Sequence, residues 1–246
     1  MQKHFSLLFF FLIAYSLYAQ QAVQVAYGVE LVKGENTPDL LNNYIDMASS
    51  SAEQIQFILE YEGNTSRFYL KESLANQDAK VALALIEYFV EVYTDAASKT
   101  KIYNNETESG KFKKQEFLVT ESLFTDWKLI NETKKIQDFT CYKAVGEYHY
   151  KTDAGNFSKT ITAWYSPEIS SSFGPNGYGG LPGLILELHV GLNGALFGAK
   201  KINFNSSEVE LSIPNKGEQI TKEEFDEISI ERSMRIMQMR EKSRSK

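Results

Sequence analysis

Cysteine is close to absent. Cys141 stands alone among 246 residues, so no disulfide can form within the chain and the core must hold without a covalent cross-link. Its neighbours, Phe139-Thr140 and Tyr142, read as strand, which makes it a small buried apolar residue rather than a reactive thiol. Histidine is nearly as scarce: His4, His149 and His189 are the whole set. The spacings H-E-x-x-H and C-x-x-C are missing, and so is the nucleophile pattern G-x-S-x-G. Ser166, Ser170, Ser171 and Ser172 have no histidine at a recognisable spacing. Gly177, Gly179 and Gly180 do not open a helix after a strand, which excludes a dinucleotide fingerprint. No catalytic residue and no cofactor is therefore expected, and a non-enzyme is favoured.

A basic excess is also lacking. The net charge is −6, which argues against nucleic acid, whose binding needs a basic footprint. Long apolar runs are missing as well. The longest, Phe5–Tyr15, falls short of the roughly 20 residues that cross a bilayer. With Lys3 before it and Ala19 after it, this run reads as a secretory signal peptide over 1–19, cleaved before Gln20. No cysteine follows the cleavage point, so no lipid anchor is expected. Removal takes away Lys3 and no acid, leaving 25 basic against 32 acidic side chains, a charge of −7.

What the chain has in quantity is aromatic residues, fourteen Tyr and sixteen Phe, which suit a half-buried pleated surface. Val23, Val25, Tyr27, Val29 and Leu31 alternate as a strand with one buried face. Leu40, Leu41, Tyr44, Ile45 and Met47 predict an amphipathic helix over 38–50, with Pro38 in its first turn. Residues 54–62 and 67–71 predict a hairpin across Gly63-Asn64. Residues 78–92 fit a helix, although Val81, Leu83 and Leu85 also fit a strand. Tyr142, Ala144, Gly146, Tyr148 and Tyr150 share one face of a strand that turns at Asp153–Gly155 and returns through Ile161, Ala163 and Tyr165. The apolar run from Leu184 to Val190 predicts a central strand. Further strands are expected over 195–203 and 208–213. Thr221 and Glu224 form a capping-box pattern ahead of a helix over about 222–241, acidic at its start and basic at its end. These readings predict one α+β domain over 20–246, mainly antiparallel β, built on a large curved meander sheet with a few helices.

Between Gly174 and Gly183 fall five of the fifteen glycines and two of the five prolines. Gly174, Pro175, Gly180, Leu181, Pro182, Gly183, Leu184 and Ile185 read as a structural motif, a turn with special backbone angles feeding a buried strand. The aromatics around it, Trp164, Tyr165, Phe173 and Tyr178, are candidates to line a ligand-binding mouth. Two other constellations bear on metals. His149, His189, Glu147 and Glu187 would suit zinc if their strands were neighbours. Met234, Met237 and Met239 on the last helix would suit Cu(I), although Ile230, Met234 and Met237 also form an ordinary packing stripe.

The hexapeptide Gly180–Ile185 resembles the signature of the GLPGLI family of exported Bacteroidota proteins, a Porphyromonas-type group. So do Trp127-Lys-Leu129, Ile136, Cys141–Ala144, Ala163–Ile169, Gly174-Pro175 and Tyr178, in that order. The resemblance spans about 124–190. It implies a Gram-negative envelope setting, periplasmic or outer-membrane associated, and brings no catalytic residues. In that setting the five N-x-S/T sequons, at Asn64, Asn105, Asn131, Asn156 and Asn205, read as turn composition. The expected fold also looks like the half-barrel of periplasmic lipoprotein carriers. The function expected is a binding module for an apolar small molecule, a lipid or an envelope protein, with no membrane span after cleavage. Metal (Zn/Cu) handling and a hydrolytic enzyme stand as alternatives.

Overall fold

The period-two alternation of Val23–Leu31 becomes a strand that sits in the middle of a single large sheet. The computed structural model describes residues 22–34, 37–71, 77–86, 88–105, 112–152, 154–191, 194–206 and 209–244; the expected signal peptide, 1–19, lies outside the described residues. Among those residues twelve strands form the sheet. They are β1 Val23–Leu31, β2 Gln56–Glu62, β3 Thr65–Leu70, β4 Glu91–Asp95, β5 Thr100–Asn104, β6 Phe117–Ser122, β7 Lys128–Ile136, β8 Phe139–Thr152, β9 Gly155–Ser166, β10 Leu184–Val190, β11 Ala195–Asn203 and β12 Glu218–Thr221. The helices are α1 Asp39–Ala52, α2 Gln77–Leu85 and α3 Lys222–Arg244. Among the described residues no helix is long and apolar enough to cross a membrane.

The order across the sheet is β12-β6-β5-β4-β3-β2-β1-β11-β10-β9-β8-β7. One wing is the meander β2–β6, the other the meander β7–β11, and β1 joins them. Every pairing is antiparallel except β12 on β6. The protein is thus α+β and mainly antiparallel.

β6 and β7 are ten strand spacings apart in this order, about 48 Å in a flat sheet. Yet only Leu123–Trp127 connects them, and six Cα steps reach about 20 Å. The sheet must therefore curl until its two wings approach. Its inner face carries the core. Tyr27, Phe57, Phe68 and Phe197 are fully buried there; Phe57 and Phe68 stack at 5.1 Å and Phe197 meets both edge-on. Each such ring contributes about 1.5–3 kcal/mol by leaving water.

Several elements differ from the sequence expectation. In α1 the buried stripe is Ile45, Ala48 and Ala52, while Leu40, Tyr44 and Met47 are exposed; alanines allow the close approach to α2 and β1 that larger residues would prevent. The second helix stops at Leu85, and residues 91–95 form β4 instead. Residues 209–213 are not a strand, and Glu218–Thr221 is. On α3 the stripe Ile230, Met234, Met237 does not pack: Met234 and Met237 are exposed. The helix docks instead through Phe225, stacked on Phe112 at 4.9 Å, and through Arg232, held by both Glu116 oxygens at 2.8 and 3.0 Å. The capping box forms, with Thr221 N–H donating to Glu224 Oε2 at 2.8 Å and Glu224 N–H to Thr221 Oγ1 at 3.2 Å.

The glycine-rich stretch enters β10 through Gly183, whose φ is +157°. A Cβ at this position would stand 2.3 Å from the Ser166 carbonyl oxygen and 2.4 Å from its carbon. Backbone atoms cannot yield as a side chain can, so Gly183→Ala is expected to lower the stability by at least about 2 kcal/mol. Gly198→Ala, whose Cβ would meet only Leu196 at 3.8 Å, should stay within about 0.5 kcal/mol of the parent. Urea unfolding midpoints for the two variants test this; equal midpoints would refute it.

Candidate functional site

Lys101 and Tyr103, two residues apart on β5, point to the inner face, and Glu121 stands opposite Lys101 on β6. On the far wing Tyr148 of β8 stands opposite Lys159 of β9. Curling brings these two rows together. Glu121 Oε1 accepts from Lys101 Nζ at 3.1 Å and from Tyr148 Oη at 3.0 Å, while its Oε2 accepts from Tyr103 Oη at 3.3 Å. One carboxylate thus links three strands. Lys101 and Glu121 side chains are only 4% and 10% exposed, so this is a buried ion pair whose charges need each other.

The connection Leu123–Trp127 supplies the next layer. Phe124 lies edge-on to Trp127 at 4.8 Å and to Tyr178 at 6.1 Å. It fits because β8 carries Gly146 beneath it: a Cβ there would stand 2.4 Å from the Phe124 ring. Trp127 Nε1 donates to the Gly179 carbonyl at 2.8 Å. The glycine-rich loop is pinned from this side and, on the other, by Asn176. That residue is buried and left-handed, with φ 55°, and its Oδ1 accepts the Phe89 N–H at 2.9 Å. The two pins place the Phe89 and Tyr178 rings around Lys101, 5.1 and 5.7 Å from Nζ to the ring centres, within cation–π range.

A pocket of about 330 Å³ opens here, lined by Tyr88, Phe89, Lys101, Tyr148, Lys159, Asn176 and Tyr178. It adjoins, at Tyr148, a wider cleft of about 590 Å³ between the β8–β9 hairpin and the start of α3. Tyr148, Tyr150 and Phe157 form a ladder of near-parallel rings on that hairpin, with centroids 6.4 and 5.9 Å apart. Lys159 Nζ lies 5.4 Å from both tyrosine rings. Burial holds Lys101 below the usual lysine range, and Glu121 draws it partly back. Burial, and then the Glu121 charge, raise the phenols of Tyr103 and Tyr148.

Of the aromatics expected to line a mouth, Tyr178 alone reaches this pocket. Trp164 and Tyr165 are adjacent on β9, so they face opposite sides of the sheet. Trp164 lies outside, under Lys134 at 4.5 Å, and Tyr165 is buried inside. Phe173 packs on Tyr61 at 5.5 Å and borders a separate pocket of about 450 Å³ with Ser170, Ser171, Ser172 and Gly183. The metal constellation is corrected by topology. His149 and His189 are not on neighbouring strands, because β9 lies between β8 and β10. Their partners on β9, Ser158 and Thr162, are four residues apart. Glu187 pairs with Lys134 at 2.6 Å, and Glu147 accepts from Ser158 at 2.5 Å. Among the described residues no group of three or more His, Cys, Asp or Glu is placed to hold an ion. Cys141 is buried, and burial pushes its thiol up to about 11.

Two outcomes follow from the buried network. Glu121→Leu leaves Lys101 charged and unpaired and should cost about 3–5 kcal/mol, whereas adding Lys101→Met should recover most of the loss; denaturant titration of both variants decides. The second concerns alkali. Burial pushes Tyr61, Tyr69 and Tyr93 up to about 12, and Tyr27, Tyr103 and Tyr148 are raised too. A phenol that ionises later when folded favours the fold fully below pH about 10, and that contribution is lost as pH rises through 12. Phenolate absorbance of these rings should therefore appear together with loss of the far-ultraviolet signal, not before it.

A search of curated proteins gives no match. Two solved structures of PNGF-II, in different space groups, are similar to this chain, with TM-scores of 0.48 and 0.49 and identities of 15% and 12%. Each alignment covers 85% of this chain but 33% and 32% of theirs, so this chain spans about a third of their length. A family described as "Protein of unknown function (Porph_ging)" has a profile that matches residues 149–187, from the last four residues of β8 through β9 and the glycine-rich loop into β10.

Proposed function

We propose that this chain is an exported binding module of the GLPGLI group that takes up a small ligand with an apolar body where the wings of the sheet meet. The observation that carries this reading is the aromatic pocket of about 330 Å³ walled by Tyr88, Phe89, Tyr148 and Tyr178. Ligand sites have this size and this preponderance of rings with a few polar groups. The deeper inner face is closed by Phe57, Phe68 and Phe197, so the ligand belongs at the mouth rather than along the sheet. Glu121 is engaged by Lys101, Tyr103 and Tyr148, which supports a binding role over an acid–base one. Export rests on the apolar run Phe5–Tyr15 and the small residue Ala19; the periplasm or the outer membrane is the compartment proposed.

Expression of the full chain in a Gram-negative host tests both parts. Protein recovered from the envelope fraction is expected to begin at Gln20. Gentle native mass spectrometry should show a small-molecule adduct that Tyr178→Ala abolishes. A retained Met1, or an adduct-free mass in parent and variant alike, would count against export and binding respectively.

A further inference from the structure

The outer half of α3 leaves the body of the protein. Ser233 is the last buried residue of the helix, and every position from Met237 to Ser243 is exposed. The outward face is nevertheless not wholly polar. Ile230, Met234 and Met237 follow one another at i, i+4 and i+7, which is one stripe on one face. Met234 is 48% and Met237 54% exposed. Short helices without tertiary packing are marginal in water, so an apolar stripe on a projecting helix points to a cover. The helix also divides by charge. Residues 222–231 hold five acids and one base, and residues 232–243 hold four bases and one acid. Part of this charge is used locally, Arg232 on Glu116 and Arg235 on Glu231. Glu227 in the acidic half and Arg240 in the basic half are exposed, and among the described residues neither is in an ion pair. Such a helix is complementary to itself only when reversed. Laid antiparallel, the acidic half of each copy runs along the basic half of the other, and the two helix dipoles oppose.

We propose that a second copy of this chain covers the stripe, its own α3 laid antiparallel across a two-fold axis near Met234 and Met237. The same patch serves on both copies, so the contact closes at two. Methionine suits it, because flexible thioethers pack on one another without a prepared pocket. Charge decides against the other apolar stripe of the fold. Leu40, Tyr44 and Met47 on α1 are exposed too, but that helix has no basic residue and would leave the acidic half of α3 uncomplemented. A helix pair of this length buries less than about 1,200 Å², the range of weak, reversible association. The contact lies on the outward face of α3 and is independent of the binding reading above.

Sedimentation velocity of the folded chain over a concentration series is expected to show a monomer–dimer equilibrium and nothing larger. Met234→Lys combined with Met237→Lys should raise the half-dimer concentration at least about ten-fold. Both residues are exposed, so the thermal midpoint of the monomer should not move, which separates a lost contact from a lost fold. Leu40→Lys combined with Met47→Lys should leave the equilibrium as it is. Direction is read by oxidative cross-linking, with Cys141 buried away from the reaction. Met234→Cys, near the axis, should give a covalent dimer. Glu227→Cys should not, because its two copies stand roughly 25 Å apart in an antiparallel pair. A monomer at every concentration, assembly beyond two, or loss of the dimer in the α1 variant rather than the α3 variant overturns the proposal. Equal cross-linking at both positions, the mark of a parallel pair, overturns it as well.

Discussion

Everything in this structure depends on the shortness of one connection. Five residues, Leu123–Trp127, join strands that lie ten positions apart across the sheet. A flat sheet cannot satisfy them, so the wings close toward each other. Side chains far apart in both sequence and sheet order then become neighbours. Glu121 ends one wing, Tyr148 belongs to the other, and they share a hydrogen bond of 3.0 Å. The connection also fills part of the space it creates, since Phe124 enters between Gly146 and Tyr178. Without the closure there would be two half-sheets with polar inner rims and no common pocket.

The glycine-rich loop gains its meaning from this geometry. Its close approaches are architectural: Gly183 passes the Ser166 carbonyl, and Gly179 offers its own carbonyl to Trp127. What it contributes to the pocket is placement. Asn176 holds the Phe89 backbone and Tyr178 faces Lys101. The residues that carry charge there come from β5 and β9, outside the hexapeptide.

Local patterns in the chain were legible and long-range ones were not. The alternation of Val23–Leu31, the turn at Gly63-Asn64 and the capping box at Thr221 depend on residues close in sequence, and each takes its expected form. The face of α1 was misjudged because its partners are a helix and a strand whose approach selects Ala48 and Ala52 over Leu40 and Met47. The site was missed for a similar reason. A lysine between Thr100 and Ile102 reads as a solvated strand position until the opposite wing is known to cover it. A weak signal was present all the same. Counting back from the β8–β9 turn pairs Tyr148 with Lys159 directly, so the aromatic and cationic row of that hairpin could have been written down. Nothing local could have paired it with Lys101 or Glu121. Trp164 and Tyr165 illustrate the reverse case: adjacency in sequence suggested a shared mouth, and the pleat sends them to opposite faces.

The two rims of the sheet end differently. One is closed by β12, laid parallel on β6 and tied to α3 at once by Thr221. Among the described residues the other, β7, has no strand beyond it. Its sequence carries Lys128, Glu132, Lys134 and Lys135, and its register with β8 breaks between Ile130 and Thr133. Charge and irregularity of this kind are how exposed edges avoid recruiting a further strand. A long aromatic sheet is otherwise prone to pair edge to edge with its own copies. The lysines of β7 therefore act as a guard on solubility, and a chain in which they became apolar would be expected to polymerise while each copy kept its fold.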